Sequence, residues 1–191
     1  MMENRLKITP EDLEPQHNRP PIVADALKIT LDDLTAVPPQ EATSPNLNAL
    51  ETLMFNLVNA ARQEHMPRWL PTNQLKWHPG LAAVARGHSA DMLKRQYVEH
   101  LSPDGIDAGK RITRYGIQYL ACGENIGIVY GAASHSETGI YEIQSTFLSQ
   151  PPGLTNHRGN LLNPVWTHVG IGISYLSSGA LVATQNFIST I

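Results

Sequence analysis

Residues 168–190 read HVGIGISYLSSGALVATQNFIST. Two β-prone runs, HVGIGISYL and ALVATQNFIST, flank Ser177-Ser178-Gly179, which has the composition of a hairpin turn. Gly170 and Gly172 stand two apart, so both fall on one face of the first strand. A face without side chains lets a helix or a ligand approach closely. Upstream, IQYLACGENIGIVYG (117–131) reads as a third strand, loosened around its glycines. The segments before it read as helices. LNALETLMFNLVNAARQEH places Leu50, Leu53, Met54, Leu57, Val58 and Ala61 at helical spacing. HPGLAAVARGHSADMLKRQ opens on Pro79, which suits a first helical turn. AGKRITRY is a short helix ending at Gly116, and SETGIYEIQSTFLSQ is a further helix stopped by Pro151-Pro152. PRWLPTNQLKW and TNHRGNLLNP read as a loop and a turn-rich segment. Helices come mainly first and strands mainly last. That order predicts an α+β domain with an antiparallel sheet rather than a βαβ winding.

The chain has 191 residues and a net charge of −3, with 41% hydrophobic and 16% charged residues. This suits one globular domain plus a tail. The tail is residues 1–46, rich in proline and acids, with a short repeat: LKITPEDL at 6–13 and LKITLDDL at 27–34. Thr9 and Thr30 are each placed to cap one helical turn. The domain is expected at 47–191. No Lys/Arg cluster marks a nucleic-acid footprint, and no apolar run reaches the roughly 20 residues of a membrane span. Cys122 is the single cysteine, so an intramolecular disulfide is excluded. No signal peptide is visible at the start, because MMENRLKITPEDLEP has no apolar core.

Glu124 interrupts the apolar run ACGENIGI (121–128). A charge within a strand costs free energy unless it is paired or hydrogen-bonded, so Glu124 sits either at a wet strand end or where the fold requires it. Gly123 and Gly127 bracket it and are expected to let the strand bend or bulge and aim the carboxylate.

Five phrases occur in order: LVNAAR, LAAVARGHSADM, HLSPDG, GENIG and HRGNLLNPVWTHVGIG. Together they resemble the CAP superfamily, also called the SCP domain: cysteine-rich secretory proteins, antigen five and pathogenesis-related proteins, here the bacterial, cysteine-poor branch. The resemblance covers about residues 47–191. It implies a three-layer α-β-α sandwich with a central antiparallel sheet and a shallow cleft lined by two histidines and two acids. By position these are His100, Glu124 and His157, while the second acid falls on Gln150. Glutamine hydrogen-bonds but carries no charge and passes no proton.

His100 and His157 are the expected metal ligands, since two convergent imidazoles hold Zn²⁺ or a similar divalent metal. Glu124 is expected to fix a ring tautomer or orient a bound water. Two protein ligands are fewer than a committed zinc site uses, so the expectation is weak binding in a His-Glu-His cleft of a binding or interaction module. The alternatives are a metal-dependent hydrolase or protease with Glu124 as base, and a lipid- or sterol-binding protein, as some relatives are. Partners are thus a small molecule, a lipid or a protein, without nucleic acid. The resemblance also implies a secreted, extracellular or cell-envelope setting. His88, on the apolar face of the second helix, reads as a core histidine. His168 reads as structural, Cys122 as a small buried hydrophobe, and Asn125 as a backbone-bonding residue at a strand kink.

Overall fold

The computed structural model describes residues 45–190. The extension with its LKIT repeat lies, as far as residue 44, outside the described residues. Each helix starts where a side chain accepts an otherwise unpaired backbone N–H. Asn46 caps α1 (Leu47–His65) at Ala49, and Asp107 caps α3 (Ala108–Arg114) at Lys110. His78 caps α2 (Pro79–Arg95) through Nδ1, 3.1 Å from the Leu81 nitrogen. Ser136 caps α4 (Glu137–Ser149), which ends ahead of Pro151. Asn156 caps α5 (His157–Leu161), a short helix inside the segment expected to be only turns.

The sheet holds β1 (Lys76–Trp77), β2 (Ala121–Tyr130), β3 (His168–Leu176) and β4 (Ala180–Ser189) in the order β1-β3-β4-β2. The three long strands are antiparallel, with the predicted hairpin between β3 and β4 turning through Gly179 at φ 95°. β1 lies in the expected loop 67–77 and pairs parallel with β3. Two residues are too short to show a period, so the sequence does not reveal this strand.

Helices cover both faces of the sheet, giving the α-β-α sandwich. On one face, Leu50, Met54 and Val58 of α1 and Ile140, Ile143 and Phe147 of α4 bury against Ile171, Leu181 and Phe187. On the other face α2 lies directly on the glycine pair of β3. A Cβ on Gly170 would collide with the Leu81–Ala82 backbone, and one on Gly172 with the backbone at Ala85–Arg86. Ser89 fixes the contact by donating to the Gly172 carbonyl at 2.8 Å.

The two edges of the sheet are treated differently. Beside β3, β1 covers the first residues. Farther along, the buried carboxylate of Glu51 accepts the Ile173 N–H at 3.1 Å and is held by Arg86 at 2.8 Å. The opposite edge is β2, the strand that carries Glu124. Its ladder to β4 runs without interruption from Ala121↔Ser189 to Tyr130↔Ala180. The expected bend at Gly123 and Gly127 is therefore absent. These glycines serve close approach instead: a Cβ on Gly123 would meet Asn160 Oδ1 at 2.5 Å and Trp166 at 2.8 Å, and one on Gly127 would collide with Ile143.

Because the Cβ at position 172 lands on helix backbone rather than on a flexible side chain, Gly172→Ala must push α2 away from the sheet. The expected loss is about 1–3 kcal/mol, read as a lower urea midpoint. An unchanged midpoint would contradict the direct packing of α2 on β3.

Candidate functional site

Glu124 lies in the interior of β2 opposite Asn186 of β4, so it is no strand end. Its side chain is 2% exposed. Strand alternation sends it to the face that carries α2, while its neighbour Asn125 points to the face that carries α4 and α5. Three side chains surround the carboxylate. His100 Nδ1 lies 2.9 Å from Oε1, and Arg111 of α3 donates Nη2–H to Oε2 at 2.7 Å. His88 of α2 lies 3.8 Å from Oε1 through Nε2. That separation is no hydrogen bond, and Nε2 instead sits 3.1 Å from the Glu99 carbonyl. Burial pushes the His88 pKa down, outweighing the pull of Glu124, and Arg111 depresses it further. The ring is therefore neutral and donates Nε2–H to Glu99. The expectation of a core histidine holds, with the addition that this one forms part of the wall around Glu124.

Arg111 is the residue that sequence reasoning missed. Besides pairing with Glu124, its guanidinium donates to the carbonyls of Ile106 (2.7 Å) and His100 (3.1 Å). It therefore shapes the 99–106 loop that presents His100. The signal available in AGKRITRY is indirect: a carboxylate buried this deeply requires a cation, and the segment supplies several.

The second half of the site is built from the opposite face. His157 is the first residue of α5. Its backbone N–H donates to Gln150 Oε1 at 2.8 Å, which turns the Gln150 amide nitrogen toward His157 Nδ1 at 2.9 Å. An amide NH₂ only donates. Nδ1 must therefore accept, and the proton of the neutral ring sits on Nε2. The ring stacks on Phe147 with centroids 4.5 Å apart. Burial lowers its pKa, with a smaller contribution from nearby His100.

Asn125 anchors this half. Its Nδ2 donates to the His157 carbonyl at 3.2 Å and to Gln185 at 3.1 Å, and its Oδ1 accepts from Asn160 at 3.0 Å. It does bond backbone, as expected, but from a regular strand rather than a kink. Arg62, wholly buried on α1, donates to the carbonyls of Leu161, the last residue of α5, and of Asn163 just beyond it. Burial lowers its pKa to about 10. His168 bonds Thr167 beside β1 and takes no part in the cleft.

The four positions thus form two hydrogen-bonded pairs: His100 with Glu124 on the face that carries α2, and Gln150 with His157 on the face that carries α4 and α5. As a metal centre the set is poor. Both Glu124 oxygens are engaged, and His157 Nε2 carries a proton as long as Gln150 donates to Nδ1. On His100, whose side chain is 58% exposed, Nδ1 faces Glu124 and Nε2 has no hydrogen-bond partner among the described residues. Among the described residues no three His, Cys, Asp or Glu side chains are grouped to hold a metal ion.

The comparisons with known proteins agree with this architecture. The family model described as the cysteine-rich secretory protein family (CAP) matches residues 55–187. The uncharacterized protein YkwD of Bacillus subtilis is 32% identical over 143 residues, covering 75% of this chain and 48% of that protein. The crystal structure of an extracellular protein containing an SCP domain from Bacillus anthracis is 32% identical, with a TM-score of 0.60 over 75% of this chain and 41% of that one. An outer surface protein from Borrelia burgdorferi, at 14% identity and a TM-score of 0.61, covers 75% of this chain and 94% of that one, and shares the fold. This chain spans less than half the length of the two Bacillus proteins. No described helix is long and apolar enough to cross a membrane.

His88 and His157 both have folded-state pKa values below the ordinary histidine value, so the unfolded chain binds protons first as the pH falls. Stability is therefore full above about pH 6.5, the unperturbed histidine value, and declines below it. Urea midpoints taken between about pH 7.5 and 5.5, a span that brackets that value, should fall, and the fall should be shallower in His88→Gln. A wild-type midpoint flat across that range would contradict neutral buried histidines.

Proposed function

The chain belongs to the cysteine-rich secretory protein (CAP) family, and within it we propose that it acts as a non-catalytic binding and interaction module whose cleft holds a divalent ion weakly. The observation that carries this reading is the Gln150–His157 hydrogen-bond pair. A carboxylate at position 150 would accept Nδ1–H from His157 and leave Nε2 with a lone pair for a metal. The amide does the reverse, so His157 is held in the tautomer that cannot ligate through Nε2. His100 then offers the one available imidazole nitrogen, short of the three or four ligands of a committed zinc site.

The same geometry argues against hydrolysis. A general base needs an accessible lone pair within reach of a water, yet Glu124 is buried, ion-paired to Arg111 and hydrogen-bonded to His100. A setting outside the cell or in its envelope is supported by the Bacillus anthracis relative, described as extracellular. Cell fractionation tests it, and recovery only with soluble cytoplasmic proteins would overturn it.

The metal reading is tested by calorimetric Zn²⁺ titration of wild type, Gln150→Glu and His100→Ala. Wild type should bind weakly and His100→Ala should lose that binding. Gln150→Glu, by releasing His157 Nε2, should tighten binding about 10- to 100-fold, the usual range for changing a ligand's hydrogen-bond partner. Equal affinity in all three proteins would remove both His100 and the tautomer lock from the account.

A further inference from the structure

The open edge of β2 offers more than a wall for the cleft. Gly131 donates to the Gly179 carbonyl at 2.9 Å, on the same register as the ladder. Hydrogen-bonded pairs alternate along an antiparallel ladder, so residues 123, 125, 127 and 129 turn their backbone groups toward β4. The N–H and C=O groups of Ile126 and Ile128 point the other way, off the sheet. Among the described residues nothing bonds to these four groups. Exposed edges are ordinarily blunted by lysine, proline, a bulge or a cover. The β3 edge has its cover in β1 and Glu51. The β2 edge is ten residues long, has no bulge, and carries neither lysine nor proline.

The surroundings of the edge fit a strand. A groove of about 460 Å³ runs along Ile126–Tyr130 on the α4 side, bounded by Ile143, Thr146 and Phe147 and reaching His157. Among the residues lining it, Glu142 is the one that carries a full charge. On the α2 side, Ile128 and Tyr130 form an apolar hollow of about 250 Å³ with Met92, Tyr97 and Val98. No charged residue lines this hollow, and Tyr130 and Val98 are 68% and 43% exposed.

We propose that this edge is a β-augmentation site, taking an extended peptide segment of a partner protein as an additional strand beside β2. Main-chain bonds to Ile126 and Ile128 supply affinity, and alternate side chains enter different surroundings on the two faces. Those turned to the α2 side meet the uncharged apolar hollow and are large and apolar. Those turned to the α4 side meet Glu142 and include Lys or Arg. The proposal names a partner class for the interaction-module reading and does not depend on the metal.

The probe is a pool of fluorescein-labelled, end-capped heptapeptides alternating Val/Ile/Leu with Lys/Arg, titrated by anisotropy against the 191-residue chain in EDTA. A second pool has the same composition arranged as an apolar block followed by a basic block. The alternating pool should bind saturably and at least about tenfold tighter than the block pool, since strand addition needs alternation. It should also slow amide exchange at Ile126 and Ile128. N-methylating the peptide amides, or Ile128→Pro in the protein, should weaken binding about tenfold, the scale of one lost main-chain hydrogen bond. Proline is tolerated where the N–H faces away from the ladder, and the methylated peptides carry the same test should that variant not fold. Glu142→Lys, at an exposed position, should weaken binding about two- to fivefold, the scale of a surface ion pair. Equal binding of the two pools, or affinity indifferent to N-methylation, overturns the proposal. So does concentration-dependent self-protection of Ile126 and Ile128 without peptide, which would assign the edge to a second copy of the chain. Saturable oleate uptake that blocks the peptides would assign the hollow to a lipid and overturn it likewise. The presence of EDTA keeps a failure here separate from a failure of the metal reading.

Discussion

The cleft is organised around one desolvated charge. Glu124 sits inside a strand and beneath a helix, where an unpaired carboxylate would cost several kcal/mol, and three successive segments upstream of β2 converge on it. α3 brings Arg111, the 99–106 loop brings His100, and α2 closes the wall with neutral His88. Arg111 directs further donors to the Ile106 and His100 carbonyls, so the group that neutralises the acid also sets the path of the loop that presents the exposed histidine. Such a pair specifies an arrangement more than it adds stability, because the attraction mainly offsets the desolvation of both partners. The ion pair leaves Glu124 with little capacity to act on anything outside the protein.

A second buried carboxylate does the opposite work. Glu51 reaches from α1 to the β3 edge, accepts the Ile173 N–H and is clamped by Arg86 of α2. One acid thus closes one side of the sheet, covering an N–H that β1 is too short to reach. On the other side Glu124 is turned onto the sheet face, and the backbone of its own strand stays open. The contrast matters because the two edges belong to one sheet and one solvent. Among the described residues, a cover of this kind is found on the β3 edge and not on the β2 edge.

Much of this is legible in the sequence, and what is not has identifiable causes. α1, α2 and α4 follow from apolar spacing and from Pro79 and Pro151. The β3–β4 hairpin follows from two β-prone runs around Ser177-Ser178-Gly179, and the close approach of a helix or a ligand to β3 from Gly170 and Gly172, while only the structure shows that the neighbour is α2. β1 and α5 escape sequence reading, since two and five residues are too few for a period to emerge. Gly123 and Gly127 read as bend points because a glycine in a strand looks the same whether it frees the backbone or admits a neighbour. Only the placement of Asn160, Trp166 and Ile143 distinguishes the two. Arg111 escapes for a related reason. The need for a cation is apparent at Glu124, but which of the nearby arginines answers it depends on the face of α3 that meets the sheet.

The departure at position 150 carries consequences well beyond a lost charge. Gln150 accepts from the His157 backbone and donates to its ring, so a single amide holds the first residue of α5 and fixes the site of the ring proton. With a carboxylate there, His157 would present a lone pair and favour a cation. With the amide, it presents an N–H donor at the end of the groove beside β2. A carbonyl or carboxylate oxygen is the natural partner for that donor, and an extended backbone lying along Ile126 and Ile128 carries such an oxygen at every residue. The same departure that weakens the case for a metal thus fits the peptide strand proposed beside β2.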